Sequence, residues 1–365
     1  MSHATLDGAP IALEDAYEHA ARLLEAAKFP LIAGLGADAA GARAGILLAE
    51  RLRGAYDHLA SEAILADLEV MRSFAMFTTT PNEARLRADV VLLVGPGLAA
   101  QSPALFERLA LEKGVHFQNG AARKIIWLGP KAGEGKIEGA EVETLSATRE
   151  ALPLILAALR ARVGGRPVAL APAVAKKLDA VAETLRTARF GVAVWSGSSV
   201  DTLVVEALQG LLSDLNATTR FTGVPIGARS GAAGVTQLSG WMTGFPPRTG
   251  FGRGYPEHDP WRFEAKRLVE SGETDAVLWI SAYDGEAPPW KSGGPKTVTL
   301  APKGAKPGRG LHIEIGRPGE DHDALEFSQA IAAFTLTQAR APSGAPSVAA
   351  AIAAIDARIS EGVSC

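Results

Sequence analysis

The sequence predicts an α/β protein made of two doubly wound units. Two observations carry that reading. Short, continuously apolar runs alternate with amphipathic helices, and about eight such runs over 365 residues are too many for one unit. Strands that are apolar on both faces belong to parallel sheets covered by helices on either side.

The elements follow in order. Residues 13–27 place Leu13, Ala16, Tyr17, Ala20, Leu23, Leu24 and Ala27 on one stripe, a helical period. Pro30 ends that helix, and residues 29–35 read as a buried strand running into Gly34 and Gly36. A second helix over 42–52 closes at Gly54 in the manner of a C-cap. Further strands are predicted at 89–94, 124–128, 191–195, 275–280, 297–300 and 312–315, with helices at 102–112, 151–161, 174–189 and 200–216. Residues 131–139 and 163–172 carry linker composition, rich in Gly, Lys or Pro. Residues 223–260 differ: many glycines and prolines surround Trp241, Phe245, Phe251 and Tyr255 without regular periodicity. So long a loop is expected to serve a function or to cover one. Residues 339–346 read as a flexible connector before an Ala/Ile helix starting at Val348.

Composition excludes several classes. Hydrophobic residues are 47%, charged residues 21% and formal net charge −3, so there is no bulk attraction for nucleic acid or an anionic membrane. No apolar run is long enough to span a bilayer, and no signal-peptide pattern opens the chain, so the expected compartment is the cytoplasm. The single cysteine, Cys365, cannot form an internal disulfide or hold an iron–sulfur cluster, and reads as a frayed tail residue.

Motifs that could carry chemistry each have a plainer meaning. Gly34 and Gly36 with Ala39 approach a dinucleotide loop, but no acidic residue is placed for a ribose, so a tight strand–helix turn is expected. The corner Ser196-Gly197-Ser198-Ser199 could offer amides to phosphate, as could any strand–helix corner of such folds. Glu320, Asp321, His322 and Asp323, with His312, read as an acidic surface turn rather than a metal site. His258, between Glu257 and Asp259, is the best-placed imidazole but has no nucleophile or orienting group at an interpretable spacing.

Two stretches carry a family resemblance. The first runs from Ile11 to Pro103 and includes Gly54, Ala55, Tyr56, Asp57, His58 and Ser61. The second is Trp241, Thr243, Gly244, Phe245 and Pro246, continuing through Phe251, Arg253, Gly254, Tyr255 and Pro256. Together they resemble the B-type subunit of formylmethanofuran dehydrogenase, within the dimethyl sulfoxide reductase superfamily of molybdenum and tungsten enzymes, over residues 11–330. The resemblance implies two Rossmann-like domains with interleaved connectivity: 1–61 with 166–338, an insertion at 62–165, and 339–365 as connector and helix.

The departures from that family are informative. Its metal-binding cysteine or selenocysteine falls here on Ala63, and a methyl group cannot coordinate tungsten. Positions expected near the pterin and its nucleotide read Gly97, Gly129 and Ala301, and residues 1–10 hold no cluster cysteine. The pattern resembles the degenerate form of this subunit in formyltransferase/hydrolase complexes of methylotrophic bacteria. That resemblance implies no catalytic residue, no cofactor and no metal. The partners it implies are an amidohydrolase-type hydrolase, a formyltransferase and a C-type subunit. The alternatives are a subunit that keeps metallopterin oxidoreductase activity and a nucleotide-binding Rossmann protein. The loop residues Trp241, Gly244, Phe245, Arg253, Gly254 and Pro256 are expected to plug a vacated hole or meet a neighbour, with Arg253 paired to a carboxylate or carbonyl.

Overall fold

The computed structural model describes residues 3–290, 294–306 and 308–360; Cys365 lies outside them. The chain is a mixed α/β protein divided into two units. One comprises Met1–Ser61, Ser230–Phe327 and Phe334–Cys365, the other Glu62–Arg229 and Ser328–Ala333.

In the first unit, strands numbered along the chain form a sheet ordered β11-β10-β4-β3-β12-β13-β14-β1-β2. Their ranges are β1 Ala4–Leu6, β2 Ala9–Ile11, β3 Pro30–Gly36, β4 Ala55–Tyr56, β10 Thr249–Gly250, β11 Glu257–His258, β12 Ala276–Ser281, β13 Lys296–Pro302 and β14 Leu311–Ile315. The central strands β4, β3, β12, β13 and β14 are parallel, and both edges are antiparallel additions. Every residue of β3 and β12 is buried, which two-sided coverage demands. On one face Ile32, Leu278, Val298 and Ile313 pack with helices α1 (Leu13–Glu25), α2 (Ala39–Arg51) and α12 (Val348–Asp356). On the other, Leu31, Val277 and Trp279 meet Phe263 and the short α11 (Ala265–Glu270).

The second unit holds a parallel sheet ordered β7-β6-β5-β8-β9: β5 Val90–Val94, β6 Lys124–Leu128, β7 Val142–Leu145, β8 Gly191–Ser196 and β9 Phe221–Ile226. Alternate residues of β5 face opposite cores. Val90, Leu92 and Val94 meet α7 (Leu152–Val163), α8 (Pro172–Arg186) and α9 (Thr202–Leu215). Val91 and Leu93 meet α4 (Pro81–Arg87) and α6 (Pro103–Leu109). Helix α3 (Ser61–Phe74) and the single turn α5 (Leu98–Gln101) complete this unit, while α10 (Ala232–Thr243) belongs to the first.

The structure corrects the expected boundaries. Residues 166–229 belong with 62–165, because β8 pairs with β5 and β9 with β8. The linker-like stretch 163–172 is the turn between α7 and α8, which pack on the same core. The carboxy-terminal helix is no separate appendage: Val348, Ala351, Ile352 and Ile355 are buried in the first unit's core. Residues 223–260 are also more regular than expected, containing the end of β9, all of α10, and β10 and β11. Strand β9 escaped notice because it holds Gly223 and Pro225. A Cβ at residue 223 would stand 2.4 Å from the Trp195 ring. Pro225 is tolerated because β9 is an edge strand. The remaining short strands, β15 (Ala324–Ser328) and β16 (Ala333–Thr337), form a two-stranded sheet.

Candidate functional site

Open parallel sheets present ligands at the carboxyl ends of their strands. In the first unit these ends supply Gly36, the run Asp57–Ser61 after β4, and Ser281. Gly34, by contrast, is a sheet residue at an irregularity between β3 and β12. Its φ is +77°, and a Cβ there would lie 2.5 Å from the Ile280 carbonyl oxygen. The amino terminus of α2 is capped from within, since the Asp38 carboxylate accepts the Gly41 N–H at 3.0 Å. A dinucleotide loop therefore has no support at this corner.

Around β4 the structure assembles a buried polar cluster. Asp57, 3% exposed, accepts the Ser61 hydroxyl at 2.5 Å and the Ala265 N–H at 2.9 Å. Arg248 sits 3.7 Å away, donates to the Pro260 carbonyl at 2.7 Å and lies 3.8 Å from Glu264. Burial pushes the Asp57 carboxyl up to about 6 despite the opposing pull of Arg248. His58 is held by two backbone groups. Its Nδ1 accepts the Ala60 N–H and its Nε2 donates to the Ser230 carbonyl, both at 3.0 Å. Those partners fix a neutral tautomer, and burial pushes the imidazole down to about 4. Beside it, Glu286 accepts from the hydroxyls of Ser230 and Ser281. Both His58 nitrogens and both Asp57 oxygens are engaged inside the chain.

The family-like loop docks on this segment. β10 pairs with β4, Thr249 opposite Tyr56 and Gly250 opposite Ala55, and the Phe251 N–H donates to Gly54 O at 2.8 Å. The Tyr56 hydroxyl lies 2.6 Å from Ser239 Oγ, and the Tyr56 ring stacks on Phe251 at 6.0 Å. Gly244, at φ +80°, ends α10. Phe245 stacks on His258, whose Nδ1 is 2.9 Å from the Arg248 carbonyl. Pro256 is half-buried, while Trp241 is 70% exposed against Phe334. Arg253 has the carboxylate partner expected of it, Glu257 at 3.3 Å, but on the surface; the buried arginine of this loop is Arg248, which sequence reasoning missed. Its partner Asp57 lies far away in the chain, and no local spacing signals the pair. A Cβ at Gly254, where φ is +84°, would stand 2.7 Å from the Arg53 guanidinium.

The second unit carries three more of the singled-out positions. Ala63 is half-buried in the first turn of α3, and its carbonyl oxygen would lie 2.2 Å from any Cβ at Gly197. The Gly97 N–H, at the start of α5, donates to both oxygens of Glu134 at 3.1 and 3.0 Å. At Gly129 a Cβ would meet Leu152 at 3.0 Å. Ser196 and Ser199 close onto Gln101 and the Pro96 carbonyl, and Asp201 caps α9. Ala301, in the first unit, is 1% exposed within β13. At the positions that the family resemblance assigns to a metallopterin, the chain offers the methyl group of Ala63 and a Gly97 amide already taken by the Glu134 carboxylate, which do not fit such a cofactor. The acidic turn is engaged likewise, Asp321 with the Arg317 N–H and Asp323 with the Ala339 N–H. Among the described residues no group of His, Cys, Asp and Glu could hold a metal ion. Nor is any of their helices long and apolar enough to cross a membrane.

This mixed α/β chain, its loop paired with β4, is similar to the B-type subunits of formyl-processing enzyme complexes. The chain belongs to the family of the B-type subunit of the formyltransferase/hydrolase complex Fhc. It is 31% identical to that subunit from Methylorubrum extorquens, with 99% of each chain covered. It also matches a chain in the crystal structure of the Methylorubrum extorquens formyltransferase/hydrolase complex with methylofuran, at a TM-score of 0.88 and 30% identity, covering 99% of this chain and 100% of that one. The B-type subunit of the tungsten-containing formylmethanofuran dehydrogenase 2 of Methanococcus maripaludis is 28% identical over 76% of this chain and 66% of its own length. No family model matches the chain.

Proposed function

We propose that this chain is a non-catalytic scaffold subunit of a cytoplasmic formyltransferase/hydrolase complex. Its partners are an amidohydrolase-type hydrolase, a formyltransferase and a C-type subunit. The complex passes a formyl group from formyl-tetrahydromethanopterin to a methanofuran-type carrier and hydrolyses it to formate. The two units are read as doubly wound Rossmann-like domains with interleaved connectivity, kept for assembly rather than chemistry.

What carries this reading is Ala63, which the family resemblance sets at the metal-ligand position of the dehydrogenases. It is supported by Gly97, whose N–H donates to the chain's own Glu134, and by Gly129, which lies against Leu152. The test is coexpression with the three proposed partners, native mass spectrometry, and elemental analysis of the purified assembly. A stoichiometric four-subunit particle without tungsten or molybdenum supports the scaffold. Near-stoichiometric metal together with formyl-carrier oxidation by an artificial electron acceptor would replace it with a working dehydrogenase subunit.

A further inference from the structure

We propose that the first unit also carries a binding pocket for a small organic polyanion, a phosphate ester with an aromatic body. The pocket lies at the opposite end of the strands from the Asp57 cluster. It is a concavity of about 580 Å³, within the range of ordinary ligand sites. It opens where β13 and β14 begin, whereas Asp57, His58 and Ser281 stand where strands end.

Its lining has one dominant sign of charge. Lys296 stands at the start of β13, Lys306 and Arg309 on the loop to β14, and His19 on α1. Among the described residues none of the three cations has a carboxylate within 4 Å. The lining carboxylate, Asp7, is already engaged. Its Oδ1 accepts the Gly310 N–H at 2.9 Å, and its own N–H donates to the Gly310 carbonyl at 3.0 Å. That clamp also holds the loop end. Gly310, at φ +112°, brings the chain so close to β13 that a Cβ would lie 2.4 Å from the Thr297 carbonyl. The loop bearing Lys306 and Arg309 is thus pinned at its exit.

Three cations round one concavity repel one another until an anion with at least two charges enters. Apolar surface supplies the other half of the site. Trp290 is set edge-on against the buried Trp279, ring centroids 5.4 Å apart, and presents an indole to the same cavity. An aromatic body on Trp290 with its phosphates toward Lys296 and Arg309 satisfies both halves.

Isothermal titration calorimetry on the purified assembly, with ADP, pyrophosphate and adenosine as probes, tests the site. ADP is expected to bind at submillimolar concentration and the other two at least about tenfold more weakly, since each lacks half of the contacts. Lys296→Ala and Arg309→Ala should each weaken ADP about tenfold, a charge-assisted hydrogen bond's worth. Trp290→Ala should weaken ADP while leaving pyrophosphate unchanged. Absence of ADP binding at millimolar concentration overturns the proposal, as does binding that survives the Lys296→Ala/Arg309→Ala double variant. Pyrophosphate binding as tightly as ADP overturns the aromatic half.

Discussion

Replacing Arg248 by methionine should destabilise the first unit in a pH-dependent way, because Arg248 is the cation facing a carboxyl buried to 3% exposure. In the wild type Asp57 titrates near 6 when folded, against 3.8 when unfolded. The folded chain therefore holds this proton more tightly. The stability it contributes is full below about pH 4 and is lost as pH rises through 6, about 3 kcal/mol in all. Arg248 opposes that loss by favouring the charged carboxylate. At pH 5 Asp57 is mostly neutral already, so the variant forfeits chiefly the bond to the Pro260 carbonyl, about 1 kcal/mol. At pH 8 the wild-type carboxylate is ionised, and without Arg248 it must either stay charged and unpaired or take up a proton. Removal of the guanidinium pushes the buried carboxyl further up, and a buried charge left without its partner costs about 3 kcal/mol. Urea pulse proteolysis of the assembled chain at pH 5 and pH 8 measures the difference. Adding Asp57→Asn to the variant should abolish it. An equal loss at both pH values, or a loss unchanged by Asp57→Asn, would refute the coupling.

Other outcomes follow from the same geometry. Ala63→Cys should create neither bound tungsten nor formyl-carrier oxidation, because the amide at Gly97 remains taken by Glu134; metal analysis and an acceptor-linked assay decide it. Gly34→Ala should cost about 2–4 kcal/mol, since the new methyl meets a main-chain oxygen that cannot move aside; a thermal shift below about 3 °C contradicts this. Arg253→Ala should leave the melting temperature essentially unchanged, because its pair with Glu257 is exposed. Assembly measured by native mass spectrometry then reports whether Arg253 touches a partner. Expressed alone, the chain should aggregate and be rescued by coexpression with its partners; a monodisperse monomer with a sharp melt counts against the scaffold reading.

Much of the fold was legible because burial on two faces leaves a continuous apolar run. β3, β5, β6, β8 and β12 announced themselves this way, while β13 and β14 mix polar with apolar residues, His312 and Glu314 alternating with the apolar residues of β14. Elements that broke the rule did so for packing reasons. Helix α10 reads as loop because Ala, Gly, Ser and Thr make up much of it, and Gly234 lies where a Cβ would stand 3.2 Å from Phe327. β9 hides behind Gly223 and Pro225. The unit boundary was misplaced because Gly and Pro at 163–172 make a helix–helix turn look like a linker, and composition alone cannot separate the two. The resemblance drew attention to the family-like loop and to Ala63. The Asp57–Arg248 pair was not legible, because a buried ion pair is defined by proximity in space.

That pair also suggests why one part of this region would persist while another lapses. Asp57, His58 and Arg248 are locked to one another's neighbours. Replacing any one leaves a buried charge or a backbone group without its partner, at about 1–5 kcal/mol each. Most single changes there would threaten the fold whatever the chain does. On the proposed reading, Ala63, Gly97 and Gly129 face the opposite situation. The methyl of Ala63 orphans no polar group, the Gly97 amide has found Glu134, and Gly129 leaves room that Leu152 occupies. Arriving at these residues costs the fold little once the chemistry is unused, although Gly97 and Gly129, at φ +73° and +69°, would not be cheap to replace again. Selection for stability alone would then preserve Tyr56, Asp57 and His58 while releasing residue 63, a few positions further along the same segment. The test is separable from activity. Asp57→Asn or His58→Ala should reduce folded yield in the assembly, whereas Ala63→Ser should leave it unchanged. If Ala63→Ser proved as damaging as His58→Ala, residue 63 would carry a packing role that the exposure of its neighbour Glu62 does not suggest.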